Sequence, residues 1–345
     1  MSTPPRLEQT ILSGGSIRSP FYFNGRLLSA EDLSAEHSAS LARESRLGRA
    51  LGSGVSFGLD VQRDAEAPPQ VAQVTVSRGL AINRGGETIE LSEDIPLRLE
   101  RPAGPVPDRR ESGFRACQPM PPGGGPSRAG ASVLTLFPAE RKEGRAPVAG
   151  LGNEVALCNA RQVATGLQFR LVEIPTTGLP ADAFLRHRLA LRCLGLTEPS
   201  LLRHHANPAV APPTDYGLSG NLGRGRLVDR EVPLALVYWN GPGALAFLDR
   251  WAVRRRITHP PTGDAWTCFT DDRRLAEAEA HFQQFQEQVE DVRRAAGDPT
   301  RVRAADFLET LPPLGFLPAG GKGPPAGFDP RAFFGRAAPG ELAML

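Results

Sequence analysis

Between Phe21 and Leu91 the chain sets a polar helix between an aromatic arm, FYFNGRLLSAEDL, and a glycine-punctuated β segment, and this order leaves few ways to fold its first quarter. Ser29 followed by Asp32 has the capping-box form, in which the hydroxyl and the carboxylate each satisfy a free amide at a helix start, so a helix is expected from about Ala30. Leu33, His37, Leu41, Leu47 and Leu51 form a loose apolar stripe along it. Glu31, Asp32 and Glu36 stand near its start and Arg43, Arg46 and Arg49 near its end, as the helix dipole favours, and Gly52 and Gly54 end it. Val71, Val74 and Val76 then lead to a Ser77-Arg78-Gly79 turn. Leu80 to Ile82 and Thr88 to Leu91 flank Asn83-Arg84-Gly85-Gly86, which supplies the positive φ of a tight hairpin. The segment reads as a small β unit.

Composition bounds the rest. With 345 residues the chain is long enough for about two domains. Its 37 glycines and 33 prolines imply many irregular connections, while 40% hydrophobic residues is too many for a disordered chain, so the expected class is a loop-rich α+β fold. A net charge of +2 gives no electrostatic case for nucleic-acid binding. The opening MSTPPRLEQTILSGGS lacks the pattern of a secretory signal, and no run approaches the roughly 20 apolar residues that span a bilayer, so synthesis in the cytoplasm without membrane insertion is expected. Cys117, Cys158, Cys193 and Cys268 are scattered, which fits reduced thiols rather than a disulfide framework.

Five regions are expected. Residues 1–52 form the arm and helix and 53–101 the small β module; 102–130, dense in Pro and Gly, form a linker or long loop. Residues 131–310 form a mixed β/α domain, and 311–345 an extended Pro/Gly/Phe-rich tail. Within the mixed domain SVLTLFPAE and LQFRLVEI read as strands, and Asp182 to Leu194 as a short helix with basic residues on its outer face. Residues 232–256 read as a hairpin around Asn240-Gly241-Pro242-Gly243. Over 271–296, Leu275, Ala278, Phe282, Phe285, Val289 and Val292 fall at heptad steps, with Thr270 as a cap and Gly297 as the stop. Three heptads do not sustain an independent coiled coil, so this stripe packs either on its own domain or on a helix of another subunit.

The residues that could carry chemistry read as structural. Gly54-Val55-Ser56-Phe57-Gly58 fits G-x-S-x-G, but a nucleophile elbow needs a strand before the serine and a helix after it, and here the order is reversed, so a close-packed turn is expected. His187, Cys193, His204 and His205 match no zinc spacing and read as surface or helix-end residues. Gly220-Asn221-Leu222-Gly223-Arg224-Gly225 lacks both the strand and the Lys-Ser/Thr of a phosphate loop, and reads as a flexible loop. Arg254, Arg255 and Arg256 follow Trp251; strand alternation would split them between two faces, which suits a solvated or ion-paired strand end against an acidic neighbour better than a nucleic-acid grip. Glu287, Glu290 and Asp291 read as the wet face of the heptad helix. No cofactor or metal site is expected.

The order F-x-G-R-x-L-x-A-E-D-L, helix, G-x-G-V-x-x-G-L-x-V, then V-x-V-x-x-G-x-A-I-x-x-x-G-x-x-I resembles structural proteins of phage tails and phage-tail-like contractile injection systems. VPLALVYWNGPGALAFLDRWAVRRR from Val232 to Arg256 and FLETLPPLGFLP from Phe307 to Pro318 are similar to later segments of that family. The resemblance implies a non-enzymatic assembly component near a baseplate, spike or fibre, carried in a particle that can be released. Its partners would be other tail proteins and further copies of itself in trimeric or sixfold order. The residues expected at such interfaces are Phe21, Tyr22, Phe23, Arg26, Trp251, Arg254, Arg256, Phe282, Phe285, Phe316, Phe333 and Phe334. Three consecutive aromatics on an extended arm cannot all face one core, so Phe21, Tyr22 and Phe23 either meet another subunit or dock under the β unit of the same chain. Two other readings are a fibre-tip carbohydrate-binding module using Trp239, Trp251 or Trp266, and a serine hydrolase built on Ser56.

Overall fold

The computed structural model describes residues 16–64, 68, 71–99, 130–147, 158–196, 217–222, 226–241, 244–259, 272–296, 303 and 306–308. The described chain is an α+β fold. Helix α1, Ala30–Leu51, starts where the capping box places it and closes at Gly52. Six short strands follow: β1 Gly54–Gly58, β2 Val61–Arg63, β3 Gln73–Val76, β4 Gly79–Ile82, β5 Thr88–Leu91 and β6 Ile95–Arg98. They form two antiparallel three-stranded sheets, ordered β1-β4-β5 and β2-β3-β6. The Ser77-Arg78 step therefore joins strands of different sheets rather than closing a hairpin, whereas Asn83 to Gly86 does close one, with Ile82 opposite Thr88. Gly54 to Gly58 is a strand rather than a turn, and Ser56 is the exposed extra residue of a bulge between Val55 and Phe57.

The second half is built on a four-stranded antiparallel sheet, ordered β10-β7-β11-β12, from β7 Gly130–Glu143, β10 Gln162–Ile174, β11 Val232–Gly241 and β12 Ala244–Asp249. A two-stranded ribbon, β8 Ala146–Pro147 with β9 Cys158–Asn159, sits beyond β7 in sequence. Helices α2 Leu185–Leu194, α3 Gly217–Leu222 and α4 Asp272–Ala296 complete the described elements. Part of the glycine run expected as a loop is thus the end of α3, with Leu222 buried.

Strand β7 is central and covered on both faces, which explains its nearly continuous apolar run. Leu134 and Leu136, with Leu234, Val237 and Trp239, face the small β module and share one core with its Val55, Leu59, Val74, Val76 and Ile89. Ala131 and Val133, with Leu236 and Tyr238, face the other way and pack on Leu185, Leu189 and Cys193 of α2. The segments on either side of residues 102–130 therefore share a hydrophobic core. Residues 102–129, the tail 311–345, and Thr270 and Gly297 lie outside the described residues.

Helix α4 buries a different stripe from the one its heptads mark. Leu275 is 54% exposed and Ala278 is exposed, while Ala276, Ala280, His281, Gln284, Phe285, Gln288, Val289 and Val292 are buried. Only the second half of the apolar stripe is used, in a small cluster of Phe285, Val289 and Val292 with Leu308. Three polar side chains occupy the rest because the surface they meet is itself polar.

Candidate functional site

The arm enters α1 through a fixed corner. Residues Asn24 and Gly25 turn, with Gly25 at φ 90° and the Arg26 amide donating to the Phe23 carbonyl at 3.2 Å. The Arg26 guanidinium then bridges the Phe21 carbonyl and the Asp32 carboxylate. Asp32 accepts from the Ser29 amide at 3.2 Å, and Ser29 Oγ accepts from the Asp32 amide at 3.2 Å. The backbone hydrogen bond from Ser29, with help from the Arg26 charge, holds the Asp32 carboxyl below its usual range. Farther along, Arg43 donates to Ser19 Oγ at 3.3 Å, which ties the start of the arm to the helix.

This corner holds aromatics out in solvent. Phe21 is 78% and Phe23 61% exposed, with ring centroids 6.4 Å apart, and Tyr22 is exposed beside them. The arm does not dock under the β unit of its own chain. Leu27 and Leu28 continue the apolar surface, followed by Leu33, Leu41, Leu47 and Leu51 of α1 and Phe57 of β1. Among the described residues, ten of the twelve exposed large hydrophobics lie within residues 21–57, the others being Val163 and Leu275, so the surface is segregated rather than scattered. Helix α1 buries only Ala39 and Gly48.

Among the described residues, Trp251, Arg254, Arg256 and Phe285 are used inside the chain. Arg254, 8% exposed, donates to the carbonyls of Gly58 at 2.6 Å and Leu59 at 2.9 Å and to Asp60 at 2.9 Å. It thereby clamps a turn in which Gly58 (φ 60°) and Leu59 (φ 55°) are both left-handed. Burial lowers its pKa, with Asp60 opposing. Strand β12 ends at Asp249, so the expected alternation of Arg254, Arg255 and Arg256 does not apply, and Arg254 is no solvated strand end. Arg256 pairs with Asp272 at 2.9 Å and Glu279 at 3.0 Å of α4. Phe285 is buried and Phe282 half-buried. Phe316, Phe333 and Phe334 lie outside the described residues.

Trp251 donates its indole N–H to Glu287 at 2.9 Å, with the Arg254 guanidinium 5.7 Å from its ring centroid. Arg250 also binds Glu287, at 2.8 Å through Nε. Trp239 is buried in the core, so neither tryptophan offers an open sugar-stacking face; Trp266 lies outside the described residues. Glu287 is thus drawn into the attachment as an ion-pair partner, while Asp291 and Glu290 pair with arginines yet keep their side chains on the wet side.

At the centre of this attachment is Asp249, fully buried. Its carboxylate accepts from Arg186 Nε at 2.9 Å, Gln284 Nε2 at 3.1 Å and the amides of Trp251 and Ala252 at 3.1 and 2.9 Å. Arg186 also pairs with Asp291 and, at 3.4 Å, with Glu287. Burial opposes the Arg186 charge, but Asp249, Asp291 and Glu287 outweigh it and raise its pKa. The basic residues of α2 are therefore not confined to an outer face. His187 is buried as well, as is Cys193, whose thiol is pushed up to about 12 by desolvation. His281 of α4 is lowered to about 4, by burial first and then by His187 and Arg255. His204 and His205 lie outside the described residues.

A cleft of about 430 Å³ opens between the end of α1, the β4–β5 turn and α4, lined among others by Arg49, Arg84, Arg255, Arg273, Glu231 and Glu277. Among the described residues no group of three or more His, Cys, Asp and Glu side chains is placed to hold a metal ion. No described helix is long and apolar enough to cross a membrane.

No family model matches the chain, and no curated protein does. Among solved structures, one chain of the type VI secretion system TssK-TssF-TssG baseplate subcomplex is similar at 12% identity and a TM-score of 0.28, covering 82% of this chain and 74% of that one. TssK, in a crystal structure, is similar at 11% identity and a TM-score of 0.28, covering 87% of this chain and 65% of that one. Likenesses this distant establish neither a shared fold nor a shared role.

Proposed function

We propose that this chain is a non-enzymatic structural component of a contractile, phage-like tail or injection system, sited near the baseplate, spike or fibres, and that it docks through the arm and the open face of α1. The observation that carries the reading is the concentration of exposed Phe, Tyr and Leu side chains in residues 21–57, on a corner that Arg26 and Asp32 hold in place. An enzyme positions polar groups around a reacting atom; here the positioned groups are apolar and face outward. Ser56 supports the same reading, because it stands exposed at a strand bulge with no helix after it. The motif order that resembles tail proteins supplies the type of assembly, and with it trimeric or sixfold order and incorporation into a released particle.

The test is association. Wild-type protein made together with the products of the genes on either side of its own should co-purify with a tail protein or with itself, and Phe23→Ala with Leu47→Asp should abolish this while leaving the fold intact. A monomer with no affinity for any tail protein would overturn the reading.

A further inference from the structure

The open face of α1 has an internal register. Leu33, His37, Ser40, Glu44, Leu47 and Leu51 follow one another at alternating four- and three-residue steps, which places them on one seam of the helix. All are exposed except half-buried Ser40, and Leu41 stands exposed beside the seam. The seam is symmetric about its middle. Reversed end for end, leucine falls on leucine at its two ends, His37 falls on Leu47, and Ser40 falls on Glu44.

We propose that a second copy of this chain covers this face, its α1 running antiparallel to the first about a two-fold axis near residue 42. The inference rests on the reading of residues 21–57 as an assembly surface and names its occupant. Leu33 of each copy then packs on Leu51 of the other, and His37 on Leu47. The polar residues decide the direction. A parallel pair or trimer stacks Glu44 on Glu44 inside the seam, a like-charge contact. The antiparallel pair instead sets each Glu44 against the small Ser40 of the other copy, whose hydroxyl can donate to the carboxylate, one helical turn from that copy's His37. Antiparallel copies also oppose their helix dipoles, while Glu36 and Arg43, which flank the seam, pair within each helix. Such a contact is isologous, and it joins threefold rings into dihedral order if trimers also form.

Cysteine pairing tests direction. Two variants of the full chain, Leu33→Cys and Leu51→Cys, are mixed and mildly oxidised, and the linked peptides are identified by mass spectrometry so that native cysteines are told apart. The expected product is a 33–51 link between chains, formed in the mixture. In the antiparallel pair two copies of residue 33 lie about 27 Å apart, from 18 residues at about 1.5 Å each, so Leu33→Cys alone gives no 33–33 link. A 33–33 link, or wild-type protein that sediments as a monomer, overturns the proposal. Leu47→Glu separates this from failure of the underlying reading. If wild type is monomeric but Leu47→Glu abolishes binding to a tail protein, the pairing falls and the assembly surface stands; if Leu47→Glu changes neither self-association nor binding, both fall.

Discussion

Gly48 of α1 lies directly against Gly86 of the β4–β5 turn, so closely that a Cβ on Gly48 would stand 2.0 Å from the Gly86 carbonyl oxygen. The reverse approach is equally tight, since a Cβ on Gly86, at φ 84°, would stand 2.0 Å from the Ser45 carbonyl oxygen. This backbone contact fixes the helix to the β module while its leucines stay outside. An alanine at an ordinary helix interior stabilises by about 1 kcal/mol over glycine. At position 48 the sign should reverse: Gly48→Ala is expected to destabilise by about 2 kcal/mol or more, because backbone has to move. Chemical denaturation of the variant beside wild type checks this.

The buried carboxylate of Asp249 holds α4 to α2 and β12 through Arg186 and Gln284. Asp249→Ala should cost about 3–5 kcal/mol, since it leaves the Arg186 guanidinium buried without that partner. Hydrogen exchange should speed most in α4, around Gln284 and Gln288.

Acid should weaken the same attachment. His281 titrates at about 4 in the fold against an ordinary 6.5. Its folded value is the lower one, so the unfolded chain takes up the proton first. The stability is fully present above about pH 6.5, is lost as pH falls toward 4, and declines no further below that. The group facing it from α2 is His187, and Arg255 faces it after β12; both oppose a positive charge. The loss should total about 3 kcal/mol. Denaturation measured at pH 7 and pH 4 should show this difference in wild type and much less of it in His281→Gln.

Cys193 should resist alkylation in the folded protein, because its thiol is buried and pushed up to about 12. Mass-spectrometric mapping of iodoacetamide adducts should find it unmodified until denaturant exposes the α2 core. Early modification would contradict the packing of α2 on the four-stranded sheet.

Much of the fold was legible where signals are local. Ser29 and Asp32 mark the start of α1, the glycines at 85 and 86 mark a hairpin, and the alternation of LQFRLVEI marks β10, because cap, turn and pleat chemistry act over a few residues. What the sequence hid depends on distant partners. The face of α4 follows Asp249 and Arg186, which draw Gln284 inward and leave Leu275 outside, so apolar periodicity pointed the wrong way there. Arg254 looked like a surface charge because its acceptors, the carbonyls of Gly58 and Leu59, are almost two hundred residues away in sequence. The sheet switch between β3 and β4 likewise has no local mark. Of the candidate interface, the aromatic arm and Arg26 are visible as motif, while the unburied leucines of α1 show in sequence only as a stripe. Gly48, in the last turn of α1, is the available clue that this helix meets its own domain through backbone and not through leucine.

Arg26 should act on association rather than on folding. Arg26→Ala removes the bridge between the Phe21 carbonyl and Asp32 but exposes no core, so thermal stability should stay within about 0.5 kcal/mol of wild type. Association should weaken several-fold, since the arm must then be ordered on binding.

The central claim, that residues 21–57 are an assembly surface, is tested most directly by amide hydrogen exchange on the assembled particle against the isolated chain at matched protein and salt. Exchange across the arm and α1 should slow in the assembly, while β7 and β11, already buried, change little. Equal exchange of residues 21–57 in both states would contradict the account.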